Sequence, residues 1–162
     1  MFQLNLRREI AALALIVGAS LPATAQTATQ TLTFQVDAIN QIAFAGSPSL
    51  VVSTAAAGDE PGVASAGATW AVTTNQSNAK ITASINAALP ANVTLTADLA
   101  APSGATSAGP QALGTTAVDV VTGLTRVAQG GLGVTYTLGA TAAAGVVAST
   151  TRTVTYTITG GT

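Results

Sequence analysis

Val-Thr-Tyr-Thr-Leu at residues 134–138 and Val-Thr-Tyr-Thr-Ile at residues 154–158 are two nearly identical segments, and they decide the fold. In each one, large apolar residues alternate with threonine. This is the two-residue period of a strand that has one face on a core and the other in water. The connection between the segments contains Gly139 and Gly145. We therefore predict two neighbouring strands joined as a loose hairpin.

The beginning of the chain has the pattern of a signal peptide. Arginines at positions 7–8 precede an apolar segment at 10–21, and the small residues at 23–25 match the pattern before a cleavage site. The alternative is an N-terminal membrane anchor, but the apolar segment is shorter than the roughly 20 residues that a spanning helix needs. We predict that the mature chain begins at Gln26 and is secreted or held at the cell surface.

The predicted domain organisation is a signal peptide at residues 1–25 and a single domain at residues 26–162. A chain of this length buries roughly two-thirds of its unfolded surface on folding. The sequence has no cysteine, so we expect the core and the strand ladders, rather than disulfides, to stabilise the domain. No apolar run beyond residue 25 is long enough for a membrane helix, and we predict no membrane span in the mature chain.

Other segments alternate in the same way. Residues 31–39 (TLTFQVDAI) are predicted as a strong first strand, with Leu32 and Phe34 on its apolar face. Further strands are predicted at 42–45, 50–53, 69–74, 79–85, 93–99, 117–122 and 124–128. The turn residues at 75–78 predict that the strand at 69–74 forms a second hairpin with the strand that follows it. Loops rich in Gly, Ala, Ser and Pro are predicted at 55–67 and 102–114.

Many short strands with regularly spaced turns indicate an all-β chain. We predict an antiparallel β-sandwich of immunoglobulin-like or fimbrial-like topology. The alternative is an eight-stranded outer-membrane barrel, which needs strands of about 9–11 residues and aromatic girdles. The predicted strands are shorter than that, and aromatic residues make up 4% of the sequence, so the sandwich is favoured.

Charged residues are scarce. Beyond residue 25 the chain has five acidic residues (Asp37, Asp59, Glu60, Asp98 and Asp119) and three basic ones (Lys80, Arg126 and Arg152). Such a chain has no basic patch to neutralise phosphates, so nucleic acid is excluded as a partner. A surface of Thr, Ser, Ala and Gly with few charges tolerates self-association, because little repels a neighbouring copy.

The sequence lacks the side chains that most enzymes use. Without His and Cys it has neither the commonest general base, nor a thiol nucleophile, nor the usual zinc ligands. The glycines at 130–133 lack the following helix of a dinucleotide-binding fold and are interpreted as a turn or bulge. We predict that the protein is not an enzyme and has no catalytic, cofactor-binding or metal-binding residues.

Three residues are candidate exceptions to that prediction. Asp59 and Glu60 are neighbours in the 55–67 loop and could contribute oxygen ligands to a calcium ion, although their spacing matches no known calcium loop. The calcium hypothesis stays open beside the simpler interpretation of solvated turn residues. Lys80 lies on the polar face of its predicted strand and is interpreted as a guard against edge pairing.

Trp70 has two interpretations. An exposed indole ring could stack against a sugar, as in carbohydrate-binding sandwiches. The same ring could instead belong to the core, because Val72 and Thr74 share its side of the strand and tryptophan buries a large area in such cores. The core position is favoured.

Several of these segments together resemble a known group of proteins. The signal peptide, the strand at 32–36 (LTFQV), the segment at 70–75 (WAVTTN) and the last strand at 153–158 (TVTYTI) are similar to small bacterial exported sandwich proteins of the pilin or spore-coat-U type. This resemblance implies a subunit whose sheet is completed by a strand from its neighbour.

The N-terminus of the mature chain gives that implication a physical basis. Residues 26–39 end in a strongly alternating strand, and such a strand can pair within its own domain or with the open edge of another subunit. We predict a non-enzymatic secreted structural protein, a subunit of a homopolymeric filament, pilus (fimbria) or coat assembled by strand pairing. The alternative is a secreted module for cell adhesion or carbohydrate binding that uses Trp70 and the loops at 55–67 and 102–114.

Overall fold

A computed structural model describes residues 24–161. Within this range it contains nine β-strands and one short 3-10 segment, Ala142–Ala144. In chain order the strands are β1 (Asn40–Ala45), β2 (Ala64–Thr74), β3 (Ala79–Ile85), β4 (Val93–Leu99), β5 (Thr106–Ser107), β6 (Gln111–Ala112), β7 (Val118–Leu124), β8 (Val127–Ala140) and β9 (Val154–Thr159). The all-β prediction is confirmed. The predicted signal peptide lies almost entirely outside the described residues and stays a prediction.

The described strands form two sheets. One has five strands in the order β1-β2-β8-β4-β6, and the other has four in the order β5-β7-β3-β9. Every pairing between neighbouring strands is antiparallel. This arrangement is that of an antiparallel β-sandwich, as the alternating pattern predicts.

The core lies between the two sheets and is supplied by the apolar half of each alternating strand. On β3, for example, Ala79 and Ile81 are completely buried, whereas the intervening Lys80 is exposed. The larger side chains of the buried cluster come from both sheets: Trp70, Val72, Ile81, Ile85, Leu95, Leu99, Val120, Val121, Leu124, Leu132, Val134 and Tyr136. Aliphatic burial of this kind is the main favourable term in the folding of a chain that has no disulfide.

From β2 onward, each connection between successive strands passes from one sheet to the other. Both predicted hairpins are therefore wrong. The segments at 134–138 and 154–158 belong to β8 and β9, which lie in different sheets, and so do β2 and β3. The reason is that alternation specifies which face of a strand is buried but not which strand lies beside it. The two matching segments face each other across the core.

The strand predicted at 31–39 is not present, and the first described strand begins at Asn40. Residues 24–35 contain no regular secondary structure and form a unit separate from the sandwich, which comprises residues 36–161. The short strand predicted at 42–45 is confirmed within β1, whereas none forms at 50–53. An alternating pattern becomes a strand only where another strand accepts its backbone hydrogen bonds.

Two loop predictions need smaller corrections. The loop predicted at 55–67 ends earlier than expected, because β2 begins at Ala64. The loop predicted at 102–114 contains the two-residue strands β5 and β6. The glycines near residue 130 form a bulge, as predicted: the register of β2 with β8 shifts between Trp70 and Val72, and Gly131 has a φ of 69°. That left-handed conformation favours glycine over any residue with a Cβ.

The residues directly before β1 are fixed by hydrogen bonds to Asn75. Asn75 lies after β2, and its Oδ1 accepts a hydrogen bond from the Ile39 amide at 2.8 Å. Its Nδ2 donates to the Asp37 carbonyl at 2.8 Å, and its backbone amide donates to the Ile39 carbonyl at 3.2 Å. Asn75 therefore satisfies three backbone groups of residues 37–39, which come directly before β1.

Replacing Asn75 with alanine is expected to lower the free energy of unfolding by about 1 kcal/mol, because two side-chain hydrogen bonds are lost at a partly solvated position. Asn75→Asp keeps the acceptor for Ile39 and loses the donor to Asp37, so an intermediate loss is expected. Urea unfolding followed by circular dichroism measures both. Equal stability of Asn75→Ala and the parent protein would show that water replaces these contacts without cost.

Candidate functional site

The two acidic loop residues, Asp59 and Glu60, make separate contacts. The Asp59 amide donates to the Ala56 carbonyl at 3.1 Å and closes a turn. The Glu60 carboxylate accepts a hydrogen bond from the Ala142 amide, which ties the loop between β1 and β2 to the connection between β8 and β9. Among the described residues, no group of three or more Asp, Glu, His or Cys side chains lies close enough to hold a metal ion. The structure thus gives Glu60 the role of a tether between loops.

Lys80 has a different role from the predicted one. It lies on β3, which has β7 on one side and β9 on the other, so it does not guard an edge. Its Nζ forms an ion pair with Asp119 Oδ1 at 2.9 Å, and both side chains are nearly half exposed. A solvent-exposed pair of this kind contributes between about 0 and 1 kcal/mol to stability.

Trp70 lies in the core, which confirms the favoured interpretation of this residue. Its exposed fraction is 2%, and its ring stacks on Phe44 with 6.0 Å between ring centroids. The indole Nε1 is buried and has no hydrogen-bond partner among residues 24–161. A ring in this position cannot offer a face to a sugar, so the carbohydrate-binding alternative loses the residue on which it depended.

Four aromatic side chains, Trp70, Phe44, Tyr156 and Tyr136, form a continuous row, which we call the aromatic row. Beyond the Trp70 stack, the rings of Phe44 and Tyr156 lie 3.9 Å apart at an angle of 16°. The hydroxyl groups of Tyr156 and Tyr136 share a hydrogen bond of 2.8 Å. The row thus connects β1 and β2 of one sheet with β9 of the other and returns to β8. It fills the interior on the side of the sandwich where β1 and β9 lie.

Both tyrosine hydroxyls in the aromatic row are harder to ionise than in water. Burial raises the pKa of Tyr136, and the hydrogen bond from Tyr156 opposes that rise only in part. Burial also raises the pKa of Tyr156, and the hydrogen bond to Tyr136 raises it further. The neutral forms of both side chains are therefore strongly preferred in the folded protein.

Shallow depressions lie on the surface of the described residues. Two of about 140 Å³ lie along β1 and β2, and they share Ala43 and Ala71. Neither is lined by a charged side chain. Small apolar walls without converging polar groups give a small-molecule ligand little to bind.

The two sides of the sandwich differ in their strand edges. On one side the sheets end in β5 and β6, which have two residues each and leave almost no edge to pair with. On the other side they end in β1 and β9, which have six residues each (NQIAFA and VTYTIT) and contain neither charge nor proline. Charges, prolines and very short strands are the usual protection of an edge. The β1 and β9 edges lack all three.

The N-terminal segment exposes the side chains that its pattern predicts to be buried. Leu32 is 78% exposed, Phe34 is 90% exposed and Val36 is 76% exposed. These residues alternate with polar ones at 31, 33, 35 and 37. The prediction that this row is buried on a strand is therefore wrong for the single chain, because alternation does not show what covers an apolar row.

No protein-family model, curated protein or solved structure matches this chain. Within the described part of the chain, no helix is both long enough and apolar enough to cross a membrane. The features of the chain that bear on its function are its strand edges, its exposed apolar row and its aromatic row.

Proposed function

We propose that the protein is a non-enzymatic structural subunit of an extracellular filament, pilus or coat, and that copies of it join by β-strand pairing. The observation that carries the proposal is the combination of an exposed apolar row at Leu32, Phe34 and Val36 with two unprotected strand edges in the same chain. An extended apolar segment can supply an additional strand, and an open edge can supply main-chain hydrogen bonds to that strand.

The exposed row is costly for an isolated chain. Burying a large apolar side chain such as Leu32 or Phe34 is favourable by about 1.5–3 kcal/mol relative to leaving it in water. An edge that accepts this segment gains main-chain hydrogen bonds as well as apolar contact. Both gains favour association over a dispersed monomer.

The low charge of the chain supports the same proposal. The sequence has 5 basic and 6 acidic residues among 162, and Lys80 and Asp119 neutralise each other. Neighbouring copies therefore meet little electrostatic repulsion. A secreted location is part of the proposal and is supported by the signal-peptide pattern of residues 1–25.

The test compares the mature protein with a double variant, Leu32→Ser with Phe34→Ser. We expect the parent protein to form oligomers or filaments that increase with concentration, and we expect the variant to stay mainly monomeric, because its apolar row is lost. Light scattering coupled to size-exclusion chromatography and negative-stain electron microscopy measure this. Val51→Ser is the matched control, because Val51 is 71% exposed but lies outside the N-terminal segment.

The control should assemble like the parent protein. A parent protein that stays monomeric at all accessible concentrations contradicts the proposal. Equal loss of assembly in Val51→Ser would mean that general surface hydrophobicity, rather than the N-terminal segment, drives association.

A further inference from the structure

We infer that residues 31–36 of one copy pair with the free edge of β9 in a second copy, and that they extend the four-stranded sheet without entering the core. This inference rests on the proposed function and identifies its contact. The acceptor edge is that of β9 rather than that of β1, and the added strand comes from a second copy.

The aromatic row decides that the strand adds outside the core. The rings of Phe44 and Tyr156 are 3.9 Å apart, so side chains already occupy the space between β1 and β9. An inserted strand needs about 4.8 Å of separation from each neighbour. The sandwich is complete on this side, and an additional strand has room only beyond the edge.

The outer edge of β9 has backbone N–H and C=O groups that can pair with such a strand. The Asn86 amide donates to the Thr153 carbonyl at 3.1 Å, and the register pairs Ser84 with Thr155. Hydrogen-bonded residues alternate along an antiparallel pair, so Thr155 and Thr157 direct their backbone groups toward β3. The backbone groups of Val154, Tyr156 and Ile158 consequently point away from the sheet and are available to an incoming strand.

The side chains of the two segments match on both faces. The outer face of β9 presents threonines at 155, 157 and 159, beside Ser84 and Thr82 of β3. Thr31 and Thr33 would extend these hydroxyl rows, and Leu32 and Phe34 would extend the half-buried apolar row of β9. Threonine pairs and pairs of aromatic with β-branched residues are favourable across strands.

The β1 edge offers a poorer match. Its outward positions are Gln41, Ala43 and Ala45, which carry no hydroxyl group. Neither β9 nor residues 31–36 contain a charge, so the proposed pairing brings no like charges together. Side-chain chemistry therefore favours β9 over β1.

Disulfide cross-linking between single-cysteine variants of the full mature chain tests this contact, because the native protein has no thiol of its own. Thr33→Cys is mixed with Thr157→Cys, or separately with Ala43→Cys, and one protein of each mixture carries a mass tag. Thr157 and Ala43 are matched, since both are exposed residues on the outward face of an edge strand. Thr155→Cys and Thr159→Cys cover the alternative registers.

We expect the yield of heterodimer, measured on non-reducing gels and by mass spectrometry, to be several-fold higher with a β9 variant than with Ala43→Cys. Equal or higher yield with Ala43→Cys overturns the assignment of β9. A double variant, Thr33→Cys with Thr157→Cys, that cross-links only within one copy overturns the second copy as the source. The cysteine-free parent protein separates the two proposals. If it does not assemble at all, the proposed function fails as well. If it assembles but the variants cross-link preferentially through Ala43→Cys, only the assignment of β9 fails.

Discussion

Trp70→Ala is expected to lower the free energy of unfolding by about 3–5 kcal/mol, the usual cost of removing a large aromatic side chain from a packed core. Trp70 is 2% exposed and supports Phe44, which in turn stacks on Tyr156. The substitution therefore leaves a cavity at the Trp70 end of the aromatic row. Domains have total stabilities of about 5–15 kcal/mol, so this one substitution removes a large share.

Trp70→Phe separates packing from the indole N–H. The Nε1 atom is buried without a partner in the described part of the chain, and phenylalanine removes this unsatisfied donor while it keeps an aromatic ring. We expect a loss clearly smaller than that of alanine, because relief of an unpaired buried donor offsets about 1–3 kcal/mol. Urea unfolding followed by circular dichroism is the measurement, since both variants lose the only tryptophan. Val51→Ala, at an exposed position, is the control and should be near neutral.

If Trp70→Phe is as destabilising as Trp70→Ala, then the indole N–H has a partner, such as a bound water, and the interpretation of this site is wrong. If both variants are near neutral, the aromatic row does not depend on Trp70. The contrast between the two substitutions therefore tests both the packing of the ring at position 70 and the cost of its buried N–H group.

The strands of the sandwich were largely predictable because their burial follows a period of two. The strands predicted at 79–85 and 93–99 agree with β3 and β4 to the residue. The partners of the strands were not predictable, because identical patterns such as those of β8 and β9 fit a hairpin and two facing sheets equally well. Even the short connection at 75–78 joins strands that lie in different sheets, so the choice of partner depends on the packing of the core.

For the candidate site, too, local patterns were predictable from the sequence and spatial neighbours were not. The sequence identified the apolar alternation of residues 31–36 and the core position of Trp70. It missed the aromatic row, since Phe44, Trp70, Tyr136 and Tyr156 come from four strands in two sheets and no local spacing brings them together. It also misplaced Lys80 on an edge, because edge positions are a property of strand order.

Stability is expected to fall steeply at high pH because of Tyr136 and Tyr156. The pKa of both hydroxyls is raised in the folded protein, whereas in the unfolded chain tyrosine ionises near pH 10. Above about pH 10 the unfolded state therefore binds fewer protons than the folded state, so the free energy of unfolding decreases as the pH rises. Below pH 10 the contribution of the pair is fully present.

The double variant Tyr136→Phe with Tyr156→Phe isolates this effect. Each raised tyrosine costs at most about 1.4 kcal/mol per pH unit above its unfolded pKa, and less for the half-buried Tyr156, where solvent screens the charge. Replacing both partners of the hydrogen bond leaves neither hydroxyl unpaired, so we expect near-parental stability at pH 8. Urea midpoints at pH 8 and pH 11 should then diverge, with the variant losing less stability than the parent protein. Parallel losses in the two proteins would mean that the tyrosine pair ionises freely in the folded state, and that the aromatic row is open to water between β1 and β9.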